Sequence, residues 1–212
     1  MSKEIIVLVH GFFKSSSDML YLERGLKKCG FETCSVDLPT TFGSFEGCIK
    51  SLKLQLTQYE KQDKLHYVAH SMGGLLVRSY LESCEVSKTG NCVFIATPHN
   101  GSELATIAEK IPFYSSIFKP IRSLLPGYGY KTLKAKKESR LGVIAGSRDP
   151  GVLGRLFLSG PNDGRVEVES AKSADADEFL VVPYGHKDIH HQEITLLNVI
   201  EFIQKGRFLE QS

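Results

Sequence analysis

The sequence predicts an α/β domain built on a doubly wound, mostly parallel sheet of about six strands, with a small inserted cap. Three observations lead there. Short apolar runs recur along the chain, such as Ile5–Val9 and Phe179–Val182. Runs of this kind suit strands buried on both faces of a parallel sheet. Segments with apolar residues at helical spacing lie between them. Chemically capable residues, His10, Ser71 and His186, follow close on the ends of three of the runs. Open parallel sheets place their sites at those strand ends.

Bulk properties narrow the class. A chain of 212 residues is long enough for one domain with a substantial core. A formal net charge of +2 gives no electrostatic pointer to nucleic acid or to an anionic membrane. The five cysteines are scattered, odd in number and without metal-type spacing. They read as small core residues of a protein in a reduced compartment. Ile5–Val9 is too short for a signal-peptide core and follows Glu4. No apolar stretch is long enough to span a bilayer. The expectation is a soluble, cytoplasmic protein.

The elements follow in order. Ile5–Val9 is the first strand and ends in His10-Gly11-Phe12. Ser15-Ser16-Ser17-Asp18 offers helix-capping residues, and Leu22, Leu26 and Cys29 keep helical spacing up to a stop at Gly30. Phe31–Val36 is the second strand. Ser44 caps a helix whose buried face is Phe45, Cys48, Ile49, Leu52, Leu56 and Tyr59. Leu65–Ala69 is the third strand, with a helix from Leu75 to Cys84 behind it. Asn91–Ala96, Arg140–Ala145 and Phe179–Pro183 are the fourth, fifth and sixth. A last amphipathic helix carries Ile194, Leu197, Ile200 and Ile203 and stops at Gly206.

Two stretches depart from the alternation. Residues 103–139 hold Pro112, Pro120 and Pro126 among many aromatic and aliphatic residues. They read as a cap with an apolar acyl pocket. Residues 146–177 read as a long loop containing the turn Asn162-Asp163-Gly164.

The stretch Ala69-His70-Ser71-Met72-Gly73-Gly74 has the layout of a nucleophile elbow, in which a sharp strand-to-helix turn lifts a serine hydroxyl clear of the sheet. Small residues flank the serine because the helix must start close to the strand. Serine attacks only when a base takes its proton, and histidine has the right pKa for that. Among seven histidines, His186 follows a strand end beyond the serine, whereas His10, His66 and His70 precede it. A carboxylate must then hold the imidazole. Asp149 and Asp163 both qualify, and position alone slightly favours Asp149.

His10-Gly11-Phe12, the AHSMGG elbow, Thr97-Pro98-His99-Asn100-Gly101-Ser102 and Asn162-Asp163-Gly164-Arg165-Val166 together resemble the lipase/esterase branch of the α/β-hydrolase superfamily. They are most like its small lipases with that elbow. The resemblance implies the α/β-hydrolase fold and the chain order Ser, acid, His. It implies Ser71 as nucleophile, Asp163 as acid and His186 as base. It also implies the N–H groups of Phe12 and Met72 as the oxyanion hole. The expected activity is serine carboxylester hydrolysis on apolar acyl esters, with no cofactor and no metal. A thioesterase or acyltransferase needs the same residues, and a catalytically inactive binding module is the remaining alternative. The expected partner is a small acyl ester or lipid, with transient contact to a lipid surface open and no nucleic acid.

Overall fold

The computed structural model describes residues 3–83, 88–102, 106, 139–148 and 158–210. Its centre is a six-stranded sheet in the order β2-β1-β3-β4-β5-β6. The strands are β1 (Glu4–Val9), β2 (Thr33–Val36), β3 (Lys64–His70), β4 (Thr89–Ile95), β5 (Leu141–Gly146) and β6 (Glu178–Val182). Every neighbouring pair is parallel. β1 lies between β2 and β3, so the order reverses there, and the crevice at that switch point is the natural place for a ligand.

Alternation along the strands sorts side chains onto two faces. Val7, Val9, Tyr67, Ala69 and Phe94 meet α2 (Phe45–Leu56) and α3 (Met72–Ser83) on one face. Ile6, Leu8, Val68, Val93 and Ile95 meet α1 (Leu20–Lys28) and the C-terminal helix (Glu193–Lys205) on the other. A short helix, α4 (Val168–Ala171), interrupts the loop before β6, so the C-terminal helix is α5. Ser44 caps α2 as expected, its hydroxyl accepting the Gly47 N–H at 2.9 Å. Gly206 ends α5 in the left-handed conformation, with φ at 68°.

One sequence expectation is corrected. Ile194 and Leu197 do not lie on the buried face of α5, being 40% and 43% exposed. The helix instead buries Thr195, Asn198, Val199, Phe202 and Ile203. The rotation is possible because Asn198 is satisfied locally: its amide donates to the Ile194 carbonyl at 2.8 Å, and its oxygen accepts the Leu209 N–H at 3.0 Å. A buried polar group costs little once paired, so Phe202 could win the inward position.

The proposed 103–139 cap lies outside the described residues except for Thr106 and Ser139, as do Cys84 and Asp149. Cys29, Cys34, Cys48 and Cys92 are free thiols. No helix among the described residues is long and apolar enough to cross a membrane.

Candidate active site

Ser71 sits at the turn between β3 and α3 with φ at 55°. A positive φ is strained for a residue with a Cβ. Phe13 and Ala96 share it, at 60° and 50°, in the loops after β1 and β4, the two strands that flank β3. Such strain persists only where surroundings impose it. Here the Ser71 N–H donates to Ile95 O at 2.8 Å, and the Ser71 carbonyl accepts Gly74 N–H at 3.0 Å and Thr97 Oγ1 at 2.9 Å. Gly73 makes the turn possible. A Cβ there would lie 2.6 Å from the carbonyl oxygens of Val9 and His10, so the helix could not start so close to β1.

The structure brings Ser71, His186 and Asp163 together. His186 Nε2 is 3.0 Å from Ser71 Oγ, and His186 Nδ1 is 2.8 Å from Asp163 Oδ2. An ionised carboxylate only accepts, so Nδ1–H donates to it and Nε2 is left to accept the Ser71 hydroxyl proton. Asp163 is 1% exposed. Its second oxygen, Oδ1, accepts the backbone N–H of Arg165 at 2.9 Å and of Val166 at 2.8 Å. Gly164, at φ 92°, permits the tight turn that aims both donors back. The His186 N–H donates to Asp163 O at 2.8 Å, which couples the two loops directly.

Met72 follows the serine directly, and Phe12 follows Gly11 in the loop after β1. Met72 opens α3, where the first N–H groups have no partner within the helix. Gly11 is so close that a Cβ there would lie 2.9 Å from Ser71 Cβ. His10 fixes this loop. Its Nδ1–H donates to Gly11 O at 3.0 Å, while Nε2 accepts the Leu38 N–H at 3.0 Å. Thr40 Oγ1 donates to the same Gly11 oxygen at 3.0 Å. Burial lowers the His10 pKa and keeps the ring neutral, as this two-sided role demands.

The Thr97–Ser102 motif turns out to be a brace. Thr97 holds the elbow, Asn100 donates to the carbonyls of Glu169 and Lys172, and Ser102 donates to Arg165 O. It thereby ties the serine turn to the loop carrying Asp163. His99 within it has both ring nitrogens sealed from solvent and without a partner among the described residues. Burial lowers its pKa to about 3, with Arg78 adding to the effect. The unfolded ring, with an ordinary pKa near 6.5, therefore binds a proton between about pH 3 and 6.5 while the folded one does not. Stability is present above that window and is lost as pH falls through it. The expected contribution to the slope is about 1.4 kcal/mol per pH unit. His99→Phe should remove that contribution in urea titrations between pH 6 and 4, and an unchanged slope would show the ring already charged in the fold.

Sequence reasoning set aside two histidines that the site uses. His70 Nε2–H donates to the His186 carbonyl at 3.0 Å, and its ring centroid is 4.9 Å from that of His186. His190 stacks on His70 at 3.9 Å. Burial, then the flanking His190 and His186, push the His70 pKa well down; burial likewise lowers that of His190. Both join Asp18, whose carboxyl is held well below the usual range. Burial alone would raise it, but His190 and Lys14 outweigh that. Position sets both aside as the base, His70 because it lies beside and before the serine and His190 because it lies further from the strand end than His186, and nothing in the sequence signals a supporting role.

The fold and this hydrogen-bonded chain of side chains define an α/β-hydrolase. The model of one such family, palmitoyl protein thioesterase, matches residues 5–134, and the chain belongs to that family. It is an ester-cleaving hydrolase. Among solved structures, the mature lipase of Bacillus licheniformis superposes with a TM-score of 0.79 at 22% identity, over 98% of this chain and 93% of that one. A metagenomic carboxyl esterase gives 0.71 at 17%, over 88% and 65%. Polyneuridine aldehyde esterase gives 0.56 at 18%, over 94% and 100%. At these identities the likeness is one of fold. No curated protein matches the chain by sequence.

Proposed function

We propose that the chain is a serine hydrolase of apolar acyl esters, with Ser71 as nucleophile, His186 as base and Asp163 as acid. The observation that carries this is the unbroken path from Asp163 Oδ2 through both His186 ring nitrogens to Ser71 Oγ, at 2.8 and 3.0 Å. In the reaction, Ser71 Oγ attacks the acyl carbonyl as its proton passes to His186 Nε2. The carbonyl oxygen becomes an oxyanion bound by the N–H groups of Phe12 and Met72. Each such donor is worth about 3 kcal/mol to the transition state. The tetrahedral adduct collapses, and His186 gives its proton to the departing alcohol or thiol. Water then repeats the sequence on the acyl-enzyme, releasing the acid and restoring Ser71. The residues need no metal or cofactor for these steps.

A thioester substrate is favoured as a second reading by the family match over residues 5–134. A fluorophosphonate probe tests the mechanism: labelling of the wild type that Ser71→Ala abolishes is expected. A folded protein that stays unlabelled would instead mark an inactive binding module. Matched acyl esters and thioesters of increasing chain length then rank the two leaving groups.

Residues 103–139 are proposed as the cap that binds the acyl chain. What supports this is their apolar composition and their start just past Ser102, on the loop that leaves the carboxyl end of β4. Replacing 107–138 with a short Gly-Ser linker should flatten the chain-length preference while probe labelling persists. An unchanged preference would place the acyl pocket elsewhere.

A further inference from the structure

Beside the Ser71 site, three ligand-type side chains converge from separate parts of the chain. Asp18 comes from the 3-10 turn Ser16–Met19, His70 from the last residue of β3, and His190 from the 3-10 turn Ile189–His191. One ligand atom of each lies within 4.8 Å of those of the other two. Asp18 Oδ2 is 3.1 Å from His190 Nε2 and 3.7 Å from His70 Nδ1. The side chains of Asp18, His70 and His190 are 7%, 3% and 0% exposed. All three facing atoms are shielded from solvent and lack a hydrogen-bond partner among the described residues.

Proton accounting makes the cluster unusual. His70 spends its Nε2–H on the His186 carbonyl. A neutral ring then presents a bare lone pair at Nδ1, and that lone pair faces the Asp18 carboxylate. Two acceptors are thus turned toward each other with no proton between them. In a dry site this arrangement is costly unless a cation lies among the donors. Charging the His70 ring is opposed by its burial and by His190 and His186.

We propose that Asp18, His70 and His190 form a site for a divalent transition metal, zinc foremost, with a fourth position left to water. Zinc bonds of about 2.0–2.1 Å in tetrahedral geometry set ligand atoms roughly 3.3 Å apart. The two spacings from Asp18 bracket that value. Two imidazoles and one carboxylate are a zinc set, whereas calcium and magnesium take oxygen ligands. The supporting contacts also match. Ligating histidines donate their other N–H to a carbonyl, as His70 does, and ligating carboxylates are themselves hydrogen-bonded, as Asp18 Oδ1 is by Lys14 Nζ at 2.7 Å. The ion would tie the β3 end, and through His70 the His186 loop, to the turn after β1. It takes no part in the acyl transfer proposed above and does not depend on that reading.

The test uses the full chain, stripped with a chelator and titrated with zinc alone by calorimetry. One ion per chain is expected. Cobalt(II) should give the intense visible bands of a tetrahedral site. Zinc at about 100 times its Kd should raise the unfolding midpoint by roughly 5–10 °C, and magnesium or calcium should not. Asp18→Asn, nearly isosteric, and His190→Gln should each weaken zinc binding by at least about 100-fold, since disturbing even a supporting contact costs 10–100-fold. Ser71→Ala should leave it intact. Near-ultraviolet circular dichroism checks each variant's packing; should His190→Gln fail to fold, Asp18→Asn and the cobalt spectrum decide. No stoichiometric uptake, or zinc binding that survives both substitutions, overturns the proposal. Probe labelling without zinc uptake sinks the metal site alone, and uptake without labelling sinks only the catalytic reading.

Discussion

Asp163→Asn is expected to lower kcat by about 10⁴-fold while the protein stays folded. The direction follows from how the side chain is held. Oδ1 is pinned by two backbone donors, Arg165 N and Val166 N. An asparagine keeps its oxygen there, because turning the NH₂ toward two N–H groups would set donor against donor. The NH₂ then occupies the position of Oδ2 and donates toward His186 Nδ1. The imidazole must answer with its other tautomer, carrying the proton on Nε2. In that form it cannot accept from Ser71 Oγ, so the attack loses its base. Substrate binding is untouched, so KM should change far less than kcat. Asp149→Asn, tested with the same acyl ester, should leave kcat within a few-fold of wild type. If the larger loss falls on Asp149→Asn, Asp163 is not the acid.

That comparison also shows where the sequence was readable. The strand runs, the Ser44 cap and the Gly206 stop are local signals, set by side-chain period and backbone freedom, and each appears where its residues predict. The elbow is local too, since Gly73 must clear the carbonyls of Val9 and His10. The choice between Asp149 and Asp163 was not local. It turned on which loop folds back across the strand ends, and the loop carrying Asp163 reaches His186 from 23 residues away in sequence. The turn that aims Arg165 and Val166 at Oδ1 is short-range, yet only the family pattern singled it out. The face of α5 was misread because aliphatic content suggested Ile194 and Leu197, whereas a self-satisfied Asn198 could be buried. The roles of His70 and His190 depend on contacts to Asp18, far away in sequence. No period or motif encodes such contacts.

The same is true of the residue whose loss should unfold the protein most readily. Arg78 lies within α3, seven residues after the serine, in an otherwise apolar stretch. Its side chain is 3% exposed. It forms a two-pronged pair with Asp175: Nη1 donates to Oδ2 at 3.0 Å and Nη2 to Oδ1 at 2.5 Å. Nη2 also donates to Ser173 Oγ at 2.6 Å, and the guanidinium lies 5.6 Å from the Phe94 ring centroid. Arg78→Ala takes the guanidinium away from the 7%-exposed Asp175 carboxylate, and breaking a buried ion pair on one side typically costs about 3–5 kcal/mol. For a chain this long that is a fall in midpoint of roughly 10–15 °C. Asp175→Ala should be similarly harmful. The double variant should be more stable than the sum of the two losses predicts, because removing both partners strands neither charge. Arg78→Lys should rescue little, since an ammonium cannot reproduce the planar fork. Urea unfolding of the wild type and the variants measures each quantity. Strict additivity in the double variant would show that the pair is not coupled, and that the cost of Arg78→Ala is lost packing against Phe94.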